Sequence, residues 1–338
     1  MNYIQQAKTH KNRGSDIIEV NKLTSKIVED IINEEILDLR IWIENRNSII
    51  YKIKIKDKYL VAKQGKYLNS DEVVKEFTAL KELMSINCKE LMVPKVLNYS
   101  KDHRFYLMDL VEGEPLSSMV NKRNRNKLLR SCKLVGKVLA IIHSEWNCKN
   151  YKNTNVACII EDIKRSPGWV STRENKYLIK VYDLLKDDIV PTGRIYRDFD
   201  PLNTFNYNNR IVLIDPPEKN YKGILYWDLA TFFIGLKKAL LKKKLYISRK
   251  DDIFLNQCKN IVLEEYLNNV TFDIPDLRKF NLTILLLELQ RIGELLVFQK
   301  KHIKRNKYIS VKSLYSRLAL KLLNIERKKI TAIIKKVK

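Results

Sequence analysis

The chain has 338 residues, 45% hydrophobic and 30% charged, with nine glycines and eight prolines; this excludes a low-complexity chain and leaves room for one large domain or two lobes. Its 64 lysines and arginines against 39 acids give a formal charge of +25, which points to an anionic partner (nucleotide, nucleic acid or acidic membrane surface), although biased codon usage can also enrich Lys, Ile and Asn. Five cysteines without a C-x-x-C pair argue against a zinc site or disulfide framework and for a reducing cytosol.

The N-terminus, MNYIQQAKTHKNRGSDIIEV, lacks the apolar core of a signal peptide, and residues 15–38 read as an amphipathic helix. From Tyr51, YKIKIK alternates apolar and basic residues with the period of a half-exposed strand. Asp57-Lys58 turns the chain into a second strand, YLVAKQG, in which Tyr59, Val61 and Lys63 share a face. A helix follows in SDEVVKEFTALKELM, with Ser70 or Asp71 as its cap and Val73, Phe77, Leu80 and Met84 on one stripe. Phe105 to Met108 form a strand, and Gly113 and Pro115 break regular structure, so the lobe boundary falls near residues 109–115. Beyond it the pattern is helical. Leu128, Cys132, Val135, Leu139 and Ile142 make one stripe, and RIVLID is the one short β segment expected. FNLTILLLELQRIGELLVF holds Glu288, Gln290, Arg291 and Glu294, so it reads as a buried or amphipathic helix, not a membrane span.

The chemistry concentrates in YRDFDPLNTFNYNNRIVLIDPPE, residues 196–218. Asp198, Asp200, Asn203, Asp215 and Glu218 crowd a short strand, and such a cluster needs a cation, a hydrogen-bond network or open solvent. Asn203 lies five residues after Asp198, and the strand delivers Asp215 seventeen after it. Phosphoryl transfer uses such a set: a carboxylate for the attacking hydroxyl, with an amide oxygen and a second carboxylate for Mg²⁺.

YRDFDPLN resembles the catalytic loop of the protein-kinase-like fold, H-R-D-x-x-x-x-N, and more closely the H-G-D-x-x-x-x-N of the aminoglycoside phosphotransferase and choline kinase superfamily. VLIDPPE and YWDLATFF are similar to that superfamily's metal-binding strand end and the segment after it. YLVAK resembles its ATP-lysine strand, VVKEFTALKEL the helix with the glutamate partner, YLMDLVEGEPL its hinge, and VGKVLAIIHS the helix before the catalytic loop. The resemblance covers about residues 45–240, with the motifs in order.

It implies an α+β, two-lobed protein-kinase-like fold: a small β-rich N-lobe over residues 1–110, with an N-terminal helical extension, and a large helical C-lobe over 111–338. It implies ATP and Mg²⁺ as cofactors. Lys63 would neutralise the α- and β-phosphates, with Glu76 holding it and Glu72 as the other candidate. Asp198 would be the base, Asn203 and Asp215 the metal ligands, and Asp228 a structural support of the loop. Main-chain groups of Asp109, Leu110 and Val111 would hold adenine. ENRNSIIYK stands where a glycine-rich turn would cover the phosphates, leaving Asn47 and Ser48 to offer N–H and hydroxyl groups. Three departures stand out: Tyr196 and Arg197 replace His-Gly, and Asp200 stands where protein kinases often have lysine and aminoglycoside kinases histidine. The absence of D-F-G and A-P-E argues against a Ser/Thr protein kinase.

Each residue also has a plainer reading: a solvated acidic loop, a surface lysine, a structural glutamate. His143 is expected to close a helix and pack on the loop. The expected activity is an ATP-dependent transfer to a hydroxyl of a small molecule or glycan (sugar, aminoglycoside, amino alcohol or lipid-linked saccharide). The alternative is a non-catalytic nucleotide-binding pseudokinase. Nucleic acid as partner rests on charge alone, without a readable recognition motif. In LALKLLNIERKKITAIIKKVK, Ile330, Ile333, Ile334 and Val337 fall at helical spacing, surrounded by Lys328, Lys329, Lys335, Lys336 and Lys338. This helix either caps its lobe or lies on an anionic membrane, which would place a cytoplasmic protein peripherally at the inner face.

Overall fold

The computed structural model describes residues 21–45, 47–67, 72–120, 124–147, 152–159, 161, 179, 183–216, 221–244, 246–274 and 276–303. The expected cap at Ser70 or Asp71, Glu218 and the basic C-terminal helix lie outside the described residues. In chain order the main elements are α1 Ser25–Ile32, β1 Asp38–Glu44, β2 Ser48–Lys54, β3 Tyr59–Gly65, α2 Glu72–Met84, β4 Leu91–Met92, β5 Val96–Ser100, β6 Phe105–Asp109 and β7 Glu114–Pro115. They continue with α3 Arg125–Asn147, β8 Lys152–Asn155, β9 Ile189–Arg194, β10 Thr204–Tyr207, β11 Arg210–Leu213, β12 Lys222–Ile224, α4 Trp227–Lys244, α5 Arg249–Asn269 and α6 Leu277–Ile303. By contact they form two compact units. One takes in the described residues up to Phe77 together with Val96–Leu110; the other takes in Thr78–Lys95 and the described residues from Val111.

The first unit is built on a five-stranded antiparallel sheet in the order β1-β2-β3-β6-β5. The alternation of YKIKIK is realised in β2 and just beyond it: Tyr51, Ile53 and Ile55 are buried, while Lys54 and Lys56 face solvent. One face of the sheet packs with α1, joining Val28 to Tyr51, Ile53, Leu60, Ala62, Phe105 and Leu107. Leu60, Ala62 and Gln64 point to this face, so the alternation of β3 sends Val61 and Lys63 to the other. The helix expected over 15–38 is shorter among the described residues. Asn33, left-handed at φ 54°, ends α1, and β1 begins at Asp38, a strand the helical reading passed over. On α2 the expected stripe also shifts: Val73, Ala79, Leu80 and Leu83 are buried, and Met84 is 45% exposed. The helix ends there, and the last turn offers its final side chain to solvent.

In the second unit α3 packs against α5, and Leu128, Cys132, Val135, Leu139 and Ile142 are all fully buried, as their spacing predicts. Burying each such side chain contributes roughly 1.5–3 kcal/mol. The single β segment expected here is an undercount. β11 sits in a four-stranded sheet, β4-β11-β10-β7, and β12-β9-β8 form a three-stranded antiparallel one. These strands run two to six residues and include polar stretches such as KNTN, too short and polar to show a period of two. Among the described residues no helix is long and apolar enough to cross a membrane. In α6 the run Ile284–Leu287 is buried, and so is Glu288, whose carboxylate accepts from Lys237 Nζ on α4 and Lys259 Nζ on α5, each at 2.6 Å.

Candidate active site

In the first unit Lys63 lies on β3 between Ile50 of β2 and Tyr106 of β6. Its Nζ stands 2.7 Å from Glu76 Oε2, with side-chain exposures of 13% and 16%. The Tyr106 hydroxyl donates to the same oxygen at 3.3 Å. The geometry thus pairs Lys63 with Glu76; the side chain of Glu72, the other candidate, lies outside those described. Such a pair repays its partial desolvation only because the carboxylate is further hydrogen-bonded. Its product is an ammonium held in one place, a compact charge suited to phosphate oxygens.

Asn47 ends the β1–β2 connection and Ser48 opens β2. Asn45 N–H donates to the Ser48 carbonyl at 2.8 Å and Lys66 N–H to the Asn47 carbonyl at 2.9 Å, so both carbonyls are spent within the sheet. Ser48 is itself 8% exposed. Lys66 and Glu44 pair across this connection at 2.8 Å, a contact that no local spacing discloses. The Lys66 ammonium holds the Glu44 carboxyl below its ordinary range. At the end of β6, Leu110 N–H donates to the Tyr59 carbonyl at 3.2 Å and Asp109 stands 3.7 Å from Lys58 Nζ. Any adenine contact in 109–111 therefore falls to the remaining main-chain groups.

In the second unit the chain leaves β9 into the loop that presents Asp198. Tyr196, where the resembled motif has histidine, is fully buried, stacked on Trp146 at 6.4 Å and edge-on to Phe199 at 5.5 Å. Its N–H donates to Asp228 Oδ2 at 2.6 Å, and its hydroxyl donates to the Ile214 carbonyl at 2.7 Å. Asp228 is buried and also meets His143 Nε2 at 2.9 Å, while His143 Nδ1 meets the Tyr266 hydroxyl at 2.9 Å. Asp228 and His143 thus support the loop from beneath.

Arg197 is left-handed at φ 64°, unusual for a long side chain and costing of order 1–3 kcal/mol. Its neighbours hold it there: Trp227 Nε1–H donates to its carbonyl at 3.2 Å, and its guanidinium lies 4.2 Å from the Tyr221 ring centroid. Short main-chain bonds then fold the loop: Asp198 N–H to Tyr196 O, Asp200 N–H to Asp198 O and Asn203 N–H to Asp200 O, at 2.8, 2.6 and 2.8 Å. Asp200 pairs with Lys238 of α4 at 2.5 Å and accepts Leu202 N–H at 2.9 Å. Asp200 is thus neutralised by a lysine from a neighbouring helix. Gly235 on α4 lets the loop lie this close, since a Cβ there would come within 2.3 Å of Pro201 Cδ.

Asn203 and Asp215 are brought together through Ile214. Asn203 O accepts Ile214 N–H at 3.3 Å, while Ile214 O accepts the Tyr196 hydroxyl. Asp215, just beyond β11, is exposed and left-handed at φ 60°. Asn203 Nδ2 donates to Asp198 O at 3.4 Å, so the amide oxygen is the end that could serve a cation. One amide oxygen and one carboxylate fit Mg²⁺, which takes one or two protein carboxylates and completes its shell with water and phosphate oxygens. No group of three or more His, Cys, Asp or Glu is set to hold a metal among the described residues, and this site does not call for one. Arg291 of α6 is the residue the sequence did not disclose: its Nη2 stands 3.0 Å from Asp198 Oδ1.

No protein-family model matches the sequence, and no curated protein does. Solved structures do resemble the chain. A thermostable mutant of an aminoglycoside phosphotransferase, in its apo form, aligns with TM-score 0.56 at 12% identity over 93% of this chain and 99% of that one. A choline/ethanolamine kinase family protein from Mesorhizobium loti aligns with TM-score 0.58 at 11% identity over 88% and 91%. The fold is protein-kinase-like. It is the α+β, two-lobed class expected from the sequence. A glucosamine kinase in complex with glucosamine, ADP and inorganic phosphate shares it too, with TM-score 0.58 at 13% identity over 87% of this chain and 83% of that one.

Proposed function

We propose that this kinase-like chain transfers the γ-phosphoryl group of ATP to a hydroxyl of a small molecule or glycan. The observation that carries the proposal is the Asp198–Asn203–Asp215 arrangement, in which a buried tyrosine and the main chain of Ile214 tie a base candidate to two oxygen ligands. In this reading Asp198 accepts the proton of the acceptor hydroxyl as its oxygen bonds to the γ-phosphorus. The bond from that phosphorus to the β–γ bridging oxygen breaks, and ADP leaves. Asn203 and Asp215 would hold Mg²⁺, which neutralises phosphate charge. Lys63, oriented by Glu76, would bind the α- and β-phosphates. The glucosamine kinase of similar fold was solved with a sugar and ADP, which supports a small hydroxylated acceptor.

Calorimetry tests the metal half of the proposal. ATP should bind more tightly with Mg²⁺ than without it, and Asp215→Ala should erase the difference. Equal ATP affinity with and without Mg²⁺ in the unmodified protein would count against the site. Nucleotide binding with no acceptor consumed from a broad panel of alcohols would favour the non-catalytic module instead.

A further inference from the structure

Asp198 stands on a loop whose backbone is closely hydrogen-bonded, but its side chain is 56% exposed, so packing alone does not choose its rotamer. A base that must meet a hydroxyl within hydrogen-bond reach needs that choice made. Arg291 makes it. Its Nη2 takes Asp198 Oδ1 at 3.0 Å, its Nη1 takes Glu294 Oε2 at 3.0 Å, and its guanidinium lies 5.8 Å from the Trp227 ring. Trp227 also donates to Arg197 O, which closes a ring of contacts from loop to indole to guanidinium and back to the loop.

The helix that carries Arg291 is pinned one turn before it. Three residues before it, on the same face, Glu288 is buried and tied to Lys237 and Lys259. The residue after Lys237 is Lys238, which holds Asp200. Helices α4 and α6 are therefore cross-tied by one ion pair, and each sends a cation to one carboxylate of the loop.

We infer that Arg291 is a positioning residue for Asp198: resting on the phosphotransfer reading above, it fixes one carboxylate oxygen and leaves the other for the acceptor hydroxyl. A guanidinium suits this work because its planar fork serves two carboxylates at fixed angles, which a lysine cannot.

A double-mutant cycle in the full chain tests this, read as single-turnover hydrolysis of Mg–ATP by excess protein with water as the acceptor. Arg291→Gln should lower the rate about 10- to 100-fold, as expected for a lost charge-assisted hydrogen bond. In an Asp198→Asn background the same change should alter the rate by less than about twofold, because no base remains to be positioned. Arg291→Lys should restore part of the loss. It also replaces the glutamine variant in the cycle if the latter fails to fold, as judged by melting and by affinity for a non-hydrolysable ATP analogue. Three results overturn the inference: an unchanged rate in Arg291→Gln, a raised rate, which would make the pair a lock, or the same fall in both backgrounds, which would make Arg291 a support of α6 only. If the wild-type protein hydrolyses no ATP, with or without a panel of hydroxyl acceptors, the phosphotransfer reading fails and the assignment of Arg291 fails with it.

Discussion

Replacing Asp198 with asparagine is expected to lower turnover by about 10²–10⁴, the usual cost of removing a general base. The side chains are nearly isosteric, and the bonds that fold the loop run through its main chain: Asp198 N–H to Tyr196 O, Asp200 N–H to Asp198 O, and Asn203 Nδ2–H to Asp198 O. The substitution touches none of these. Nor does it touch Lys63 and Glu76, or Asn203 and Asp215, the proposed metal ligands. The contact it weakens is the ion pair with Arg291, on a side chain 56% exposed and so of small weight in stability. Affinity for Mg–ATP and the melting temperature should therefore stay close to wild type, and the loss should fall on the chemical step. Rapid-quench kinetics beside calorimetry would show this. Turnover within threefold of wild type in the asparagine variant would remove Asp198 from the role of base.

The second large effect is on stability. Glu288 is fully buried, and its two oxygens take Lys237 and Lys259, themselves 4% and 18% exposed. Glu288→Gln removes the charge that both ammonium groups were buried to meet. Breaking a buried pair by deleting one partner costs about 3–5 kcal/mol. The melting temperature should fall by roughly 5–10 °C. A leucine or methionine in place of the glutamate alone would do no better, because the lysines would remain.

The same network sets an acid limit. The two lysines hold the Glu288 carboxyl far below its ordinary value against the opposing effect of burial. A carboxyl depressed in the folded state contributes stability that is complete above its unfolded value, about pH 4.3, and that is lost as pH falls through the folded value. Wild-type stability should thus drop as pH falls below about 4.3, and Glu288→Gln should remove part of that dependence. Denaturant midpoints measured from neutral to acid pH would show it. Parallel curves for the two proteins would mean that Glu288 does not carry the acid dependence.

What the sequence disclosed and what it concealed divide along a physical line. Period-two alternation placed Lys63 on one face of β3, and helical spacing placed Glu76 on α2, because both are local consequences of backbone geometry. The order of motifs around Asp198, Asn203 and Asp215 pointed to the fold. Tyr196 in place of histidine proved compatible with a buried, doubly hydrogen-bonded position, since its ring fills the core and its hydroxyl reaches Ile214. The concealed features are pairings between distant segments. Arg291 lies 93 residues from Asp198 and Lys238 lies 38 from Asp200, and no spacing rule connects them. Asp200, which stands where relatives of the motif have a cation, is neutralised by Lys238 on α4. β1 was passed over although Leu39, Ile41 and Ile43 alternate with Asp38, Arg40 and Glu44: Trp42 breaks the period, and the strand follows closely on the apolar stripe of α1.

The central claim, transfer of a phosphoryl group to a hydroxyl, is tested most directly by mass spectrometry of acceptors incubated with Mg–ATP and the protein. The panel should span neutral sugars, amino sugars, amino alcohols and glycolipid saccharides. At least one acceptor should gain a single phosphoryl group with wild-type protein and none with Asp198→Asn. Tight binding of Mg–ATP with no phosphorylated product from any class would contradict the claim and make the chain a nucleotide-binding module.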